Sequence, residues 1–547
     1  MATVHINGAA VDIGDEKLNL VQAAKKAGVE IPSYCWHPAL SVVASCRMCL
    51  VEVGEKKPDG TVAMQPRVVP ACQTPAKDGT VVNTISEKSK YAQERTLESL
   101  LLNHPLDCPV CDKAGECGLQ DYTFRYGRAT TRMIEEKNTP PNKDYIGDNV
   151  TLFTDRCIMC SRCVRFTREV AGTSELQILN RGHHAEIDIF PEEPLNNKLA
   201  TNVVDLCPVG ALCSKDFLYK QRVWFLKTQK SVCADCSTGC STHLDYNKDI
   251  VYRLRPRDNP LAQGYFMCDE GRLDYEYVNA KERFQQALAR VEGKLTPQAW
   301  EKLGPQIRSE LVGFAKKKGD SIGAVLSPFL TVEEAYLLAK FMKSISPKAR
   351  LYLGYVPVRG KDDQYPQDRH GNPVGPAKFT IRAEKCPNRR GVEAVLRQLH
   401  GEVLPFETAV RDAGNGTLQA LYVTGGYSPN AGEWYQAAQL ESLRKTPTLI
   451  VQDLMPSTLS AEAKYVIPAA TWAEKDGVFV NHANLAQAIH WAVRPGWFGR
   501  TDGQVFADLM DRRGLLNAEG VRKELAAEIP ALAPLAGNMG EQGVKLR

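Results

Sequence analysis

Nowhere in these 547 residues does an apolar run approach the ~18 residues that a membrane-spanning helix requires. The N-terminal stretch Met1-Ala-Thr-Val-His-Ile-Asn-Gly has neither the basic nor the apolar region of a secretion signal. The expectation is a cytoplasmic chain whose membrane association, if any, runs through partners. Neither sign of charge is in excess. Lys and Arg number 68 against 64 Asp and Glu, a net of +4, so there is no electrostatic case for nucleic-acid binding. No internal repeat and no low-complexity tract is present, which excludes solenoid arrays and disordered scaffolds. Cysteine is almost missing from the second half: after Cys268 only Cys386 remains.

The first half holds the other 16 of the 17 cysteines, between Cys35 and Cys268. In a reducing compartment that density is not a disulfide framework, and clustered thiols read as metal ligands or redox groups. They fall into four sets. Cys35, Cys46, Cys49 and Cys72 are spaced C-x10-C-x2-C-x22-C. A long loop with three thiolates and a distant fourth suits a two-iron cluster on a ferredoxin scaffold, although the plant-type pattern has four residues in the first gap. His104, Cys108, Cys111 and Cys117 form the second set, in which an imidazole nitrogen supplies the ligand that three thiolates lack. The third begins Cys157-Ile-Met-Cys160-Ser-Arg-Cys163, the C-x2-C-x2-C run of bacterial ferredoxins. Thr167 stands where the next cysteine of that run would be, and Cys207-Pro208 offers the remote ligand instead. The fourth set is Cys233, Cys236, Cys240 and Cys268, spaced C-x2-C-x3-C-x27-C. Thiolate is the soft ligand that iron–sulfur clusters require. A structural zinc site is the bland alternative for the first set and a zinc ribbon for the third, while a lone histidine before proline would otherwise read as a solvated loop residue. Cys213 and Cys386 are left over and read as small buried residues.

The intervening pattern predicts a multidomain α+β chain, of roughly three to five units by length. Asn7-Gly8 between Thr3–Ile6 and Ala10–Ile13 is a type I′ hairpin signal. A helix over Leu18–Ala27, closed by Gly28, and a strand from Leu50 complete a ferredoxin-like domain, residues 1–90. Residues 91–130 read as helix, loop and helix around the His104 set. A polar connector opens 131–225, which carries the third set, and 226–275 carries the fourth. From 276 to 547 buried-strand runs at Ile322, Leu418–Val423 and Thr448–Val451 alternate with helices, one opened by the capping box Thr331-x-x-Glu334. Gly425-Gly426 after a strand is a weak phosphate-loop signal, better explained by a tight turn.

Taken in this order and at these spacings, the four sets resemble the large, G-type iron–sulfur subunit of respiratory complex I, the NADH:quinone oxidoreductase. The matching stretches are His104–Gln120, Asp155–Arg165, Asp205–Leu212 and Val232–Gly239. The resemblance implies an N-terminal 2Fe-2S ferredoxin-like (β-grasp) domain, 4Fe-4S ferredoxin-like domains, and one 2Fe-2S plus three 4Fe-4S clusters. It also implies a relay from a flavin-bearing NADH-oxidising subunit toward a two-cluster ferredoxin-like subunit and quinone, peripheral on the cytoplasmic side of the inner membrane. The stretch Ala463–Gly477 makes the C-terminal part similar to molybdopterin oxidoreductases. That part is short for enclosing a molybdopterin, so a shortened α/β domain without cofactor is expected.

The rival readings are an electron-transfer subunit of an NAD-linked formate dehydrogenase or of a hydrogenase complex, and a zinc scaffold. The first would carry complete C-x2-C-x2-C-x3-C-Pro runs and a metal-binding Cys followed by His, whereas Cys386 precedes Pro387. An iron-only hydrogenase needs several further cysteines beyond the ferredoxin part. The chain has no catalytic nucleophile constellation, flavin motif or convincing dinucleotide loop, so no complete catalytic site is expected in it.

Overall fold

In the computed structural model Asn7 and Gly8 both take positive φ, 49° and 90°, which lets strand β1 (Ala2–Ile6) turn directly into β2 (Ala9–Gly14). The structure describes residues 2–143 and 145–546. Met1, which opens the N-terminal stretch, Asp144 in the polar connector and Arg547 lie outside the described residues. Helix α1 (Leu20–Lys26) begins at a capping box in which Asn19 and Gln22 satisfy each other's backbone N–H groups. It is shorter than the periodicity predicts, because Leu18 and Asn19 are spent on the cap. Strands β3 (Leu50–Lys56), β4 (Val62–Met64), β5 (Val69–Pro70) and β6 (Thr80–Asn83) complete a mixed sheet of order β2-β1-β6-β3-β4, with β5 also on β3. Leu20, Ala23 and Ala24 pack against Val4, Ile6, Val51 and Val53 in its core.

Helices α2 (Glu87–Leu101) and α3 (Gly118–Tyr126) flank the His104 loop. Beyond them secondary structure is sparse. The strands Val150–Leu152 and Leu212–Ser214 pair, and two short helices, α4 (Arg162–Phe166) and α5 (Asn202–Leu206), carry the third set. The chain divides into two units. The first comprises residues 1–225 and an excursion, 365–378, from the second half of the sequence. That excursion is fixed locally. Gln367 N–H donates to Ala171 O at 2.9 Å, and a Cβ on Gly172 would meet Gln367 O at 2.5 Å.

The second unit, residues 226–364 and 379–547, opens with an antiparallel hairpin sheet, Lys227–Val232, Ser241–Asn247 and Ile250–Pro256. Its main sheet has seven strands. Five are parallel: Tyr465–Pro468, Thr448–Asp453, Ala420–Thr424, Ile322–Leu326 and Arg350–Leu353, with an antiparallel hairpin added at one edge. The strands Ile322–Leu326, Ala420–Thr424 and Thr448–Asp453 are buried along their whole length, as sheets covered on both faces must be. This is the α/β alternation expected from the sequence.

The capping box Thr331–Glu334 is present at the start of the helix Val332–Ile345. Its carboxylate has a second duty: Lys475 Nζ lies 2.8 Å from Glu334 and 3.5 Å from Asp502, all three side chains at most 5% exposed. Removing the cation strands two buried carboxylates. Lys475→Met is therefore expected to destabilise this unit by about 3–5 kcal/mol. The measurement is urea unfolding of the full chain, and an unchanged midpoint would sink the argument.

Candidate metal centres

The first set is assembled by backbone. Asn19 Nδ2 donates to Cys72 O at 3.0 Å and Ala71 N–H to Cys49 O at 2.9 Å, so the cap of α1 and the start of β3 hold the two distal cysteines. The loop between Cys35 and Cys49 turns through positive φ at Ala44 and Arg47, 49° and 59°, a conformation that costs such residues and marks a loop wrapped around something. Cys35, Cys49 and Cys72 are 1% exposed. The four sulfurs are near enough to share protons. Hydrogen bonding from Cys46 and Cys72 holds the Cys35 thiol well below its ordinary range, and bonding from Cys72 lowers Cys49. The same contacts push Cys46 and Cys72 up.

In the second set Cys117 is the N-cap residue of α3, and Cys111 N–H donates to Cys108 O at 3.3 Å. Cys108 is exposed and Cys111 half-buried. His104 follows the end of α2, and its Nδ1 is buried without a hydrogen-bond partner among the described residues. A buried ring nitrogen with no protein partner is what a metal-ligating imidazole presents. Burial first, then the charges of Lys137 and Arg156, brings the imidazole down to about 4, so it is neutral and has a lone pair to give at neutral pH. Arg156 is 5% exposed, donates to Asp107 Oδ2 at 2.9 Å, and feels the Cys111 sulfur.

The second and third sets are adjacent. Gly118 N–H donates to Pro208 O at 2.9 Å, and a Cβ on Gly210 would fall 2.2 Å from Cys111 Sγ. Cys157, Cys160, Cys163 and Cys207 line one small cavity whose other walls, Leu152, Ile158, Ile187, Val209, Ala211 and Leu212, are apolar, with Ser161 and Arg162 at its edge. Met159 and Ser161 at φ 52° and 56° fold the triad around it. Burial pushes Cys157 up to about 12 and Cys160 to about 11, and raises Cys163 further. Thiols so buried ionise only against strong positive charge, which iron supplies.

Cys233, Cys236, Cys240 and Cys268 are 3–6% exposed. The first three sit at the tip of the hairpin, closed by Cys233 N–H to Cys240 O at 2.9 Å, and Cys268 Sγ accepts from Gly271 N at 3.4 Å. A Cβ on Gly271 would come within 2.6 Å of Cys233 Sγ, so only glycine fits that cradle. Burial raises all four thiols. Among the described residues no three Cys, His, Asp or Glu converge as ligands of one ion do. What the structure brings together is sulfur with sulfur: within each set the thiols act on one another, and His104 is related to the second set through Arg156, whose charge acts on both His104 and Cys111.

Of the leftover cysteines, Cys213 is 5% exposed, its thiol donates to Gly210 O at 3.6 Å, and it does not line the third set's cavity. Cys386 is fully buried. A separate cavity in the second unit lies beside Cys233, walled by Asp235, Glu270, Asp274 and Glu433 and by aromatic rings including Tyr427 and Trp434, stacked at 4.6 Å. Its two cations are committed: Lys385 to Glu270 at 2.5 Å and Arg359 to Glu270 at 3.2 Å. That lining does not fit a phosphorylated, anionic pterin.

The residues that spacing alone misses are Arg156, Arg162 and Arg165. Their sequence signal is three arginines interleaved with a cysteine run that has to be buried.

Comparisons with known proteins follow the same partition. Residues 1–87 match the 2Fe-2S iron-sulfur cluster binding domain, 93–132 the NADH-ubiquinone oxidoreductase-G iron-sulfur binding region, and 147–213 the ferredoxin-like domain of NADH-quinone oxidoreductase subunit 3. Residues 226–280 match the molybdopterin oxidoreductase Fe4S4 domain and 396–512 molybdopterin oxidoreductase. The chain is 35% identical over 345 residues to the G subunit of NADH-quinone oxidoreductase from Rickettsia bellii (strain RML369-C), covering 63% of this chain and 48% of that protein. It is 35% identical over 347 residues to the G subunit from Streptomyces coelicolor, covering 63% and 39%. It is 34% identical over 370 residues to the NADH-ubiquinone oxidoreductase 75 kDa subunit of Reclinomonas americana, covering 68% and 51%. The chain thus spans about half the length of the curated relatives it matches. A solved chain of an NAD+-reducing [NiFe]-hydrogenase aligns at 26% identity over 41% of this chain and 91% of its own, with a TM-score of 0.36, too low to support the hydrogenase reading. The resemblance to the G subunit of complex I stands at the level of sequence, and the iron–sulfur and molybdopterin-type domains are present in one mixed α/β chain.

Two outcomes test the assignment of ligands. Cys207→Ser is expected to remove or convert one four-iron EPR signal, while Cys213→Ser leaves every signal intact; the reverse pattern exchanges the two roles and refutes it. His104→Cys should keep a four-iron cluster at lower potential, because an added thiolate charge disfavours reduction. His104→Ala should labilise one iron of that cluster alone. Unchanged spectra and potentials in both His104 variants would make the histidine a loop residue.

Proposed function

We propose that this chain, a relative of the G subunit of NADH-quinone oxidoreductase, is an electron-relay subunit that carries electrons from a flavin-bearing NADH-oxidising partner toward a two-cluster ferredoxin-like partner and quinone. The observation that carries the reading is the contiguity of the first three sets in one unit. A single guanidinium, that of Arg165, bonds both Cys35 O and Cys160 O, and Gly210 of the third set's loop packs on Cys111 of the second. Sets touching through one residue suit transfer between fixed centres.

In this reading Cys35, Cys46, Cys49 and Cys72 hold a 2Fe-2S cluster. Three 4Fe-4S clusters are held by His104, Cys108, Cys111 and Cys117; by Cys157, Cys160, Cys163 and Cys207; and by Cys233, Cys236, Cys240 and Cys268. Bound clusters supply reversible one-electron storage. The protein's own work is to fix the sulfurs, exclude water with the apolar walls around the third set, and set the local charge through Arg156 and Arg165. The functional divisions are 1–90, 91–130, 131–225, 226–275 and 276–547. The last has no molybdopterin, for the acidic lining of its cavity offers a phosphate no uncommitted cation. Oxidation of NADH and reduction of quinone belong to partners, with the assembly peripheral on the cytoplasmic face of the inner membrane. No helix among the described residues is long and apolar enough to cross it.

Iron, sulfide and molybdenum analysis with low-temperature EPR of anaerobically purified protein tests the whole reading. The expected result is about fourteen irons per chain, with one two-iron and three four-iron centres and no molybdenum or tungsten. Stoichiometric zinc with little iron would overturn the relay. A tightly bound pterin would overturn the reading of the last domain.

A further inference from the structure

We propose that Arg165 is a counter-cation shared by the first and third ligand sets, raising the reduction potential of the centre held at each. The inference rests on the reading of those sets as iron–sulfur sites.

Arg165 is the third residue after Arg162 on α4, in the middle of the cysteine run, yet its side chain is 2% exposed. Its donors are spent on both sets at once. One terminal nitrogen, Nη2, donates to Cys35 O at 2.5 Å and to Cys160 O at 3.2 Å. Nη1 donates to Ser41 O, in the loop that separates Cys35 from Cys46, and Nε to Ser161 O at 3.2 Å. These acceptors are neutral carbonyls. A buried cation needs opposite charge as well as hydrogen bonds. The carboxylate that acts on it, Glu169, is taken up by Ser41 N–H at 2.8 Å, the Ser41 hydroxyl at 2.5 Å and Arg168 at 2.9 Å. The other negative groups that act on Arg165 are the sulfurs of Cys35 and Cys160, one from each set. A guanidinium cannot shed its proton to escape burial. Its charge is therefore fixed between the two sets, and a fixed positive charge in a poorly solvated place favours the more negative, reduced state of whatever the sulfurs hold.

Arg162, one turn earlier, repeats the geometry at the next residues along. It donates to Trp36 O at 2.5 Å and Leu206 O at 3.3 Å, the neighbours of Cys35 and Cys207. Side chains at i and i+3 share a helix face, so one short helix ties both ligand loops. Arg162 lines the third set's cavity and its charge acts on Cys160 as well, so it adds to the field at that set; Arg165 is the one that bonds a cysteine carbonyl of each set.

The test is an EPR-monitored redox titration of the full-length cluster-loaded protein. At a fixed potential, Arg165→Gln should raise the oxidised-to-reduced ratio at least tenfold at both the two-iron centre and the Cys157 centre, about 59 mV for a one-electron couple. The His104 centre is the internal reference. Its Cys111 and Cys117 sulfurs feel Arg156 and Lys113, and it should move less than threefold. Arg165→Lys keeps the charge and should return both centres to within threefold of the natural protein. The proposal is overturned if either centre stays unmoved in a fully loaded glutamine variant, or if the lysine variant shifts as far as the glutamine. Should the glutamine variant not load, the lysine variant decides alone. Near-native potentials support the counter-charge, whereas a full shift or loss of both centres makes Arg165 a structural tie only. Failure of the underlying relay reading looks different: the natural protein itself would show no reducible iron signals.

Discussion

Cysteine sulfurs withdrawn from water are the constraint on which the rest of the structure turns. A buried thiol resists ionisation, and a buried thiolate without positive charge nearby is among the costlier things a fold can hold. The chain answers with three devices, shared out among the sets. Short stretches of positive-φ backbone bend the loop around the sulfurs, as at Arg47, Met159 and Ser161. Glycines stand where a methyl group would collide with sulfur, as at Gly210 and Gly271. Arginines are folded inward rather than left on the surface, as at Arg156 and Arg165. Regular helix supplies few of the sulfurs there: Cys163 alone lies within α4, which runs on into a π-helical turn at Thr167–Ala171, and Cys207 caps the end of α5.

The parts of this fold legible in the sequence are those decided locally. Asn7-Gly8 makes its hairpin because both residues tolerate positive φ. Thr331 and Glu334 make their capping box because they are three residues apart. The four cysteine groups announce themselves by spacing, since their members recur at short gaps, as in Cys157-Ile-Met-Cys160 and Cys233-Ala-Asp-Cys236. The ends of α1 are less legible, because Leu18 continues the apolar period but lies outside the cap.

What the sequence does not disclose is whatever depends on distant partners. Lys475 meets Glu334 across 141 positions, and Arg165 reaches Cys35 across 130. Arginines set among cysteines that must be buried signal that some turn inward, but not which distant carbonyls they reach. The excursion 365–378 belongs to the first unit although everything around it in sequence belongs to the second. Its tie to Ala171 is a backbone hydrogen bond, and the one residue type it demands, glycine at 172, does not say what approaches it.

Gly425-Gly426 shows how a motif can be answered by what packs on it. The pair follows the buried strand Ala420–Thr424, at the carboxyl end of a parallel sheet, where α/β folds bind phosphates on freed backbone N–H groups. Here those groups already have an anion of the protein's own. Asp453, at the end of the neighbouring strand, accepts from Gly426 N at 3.0 Å and from Leu454 N at 2.8 Å. A Cβ on Gly425 would stand 2.3 Å from the Asp453 carboxyl carbon, so the first glycine is needed to let the carboxylate in. Burial pushes that carboxyl up to about 6, and its two N–H donors work in the opposite direction. A phosphate arriving at this turn would have to displace or oppose a side chain that satisfies the same donors. The glycines thus serve closure of the sheet's carboxyl end, and the tight turn expected from the sequence has a stated cause in Asp453.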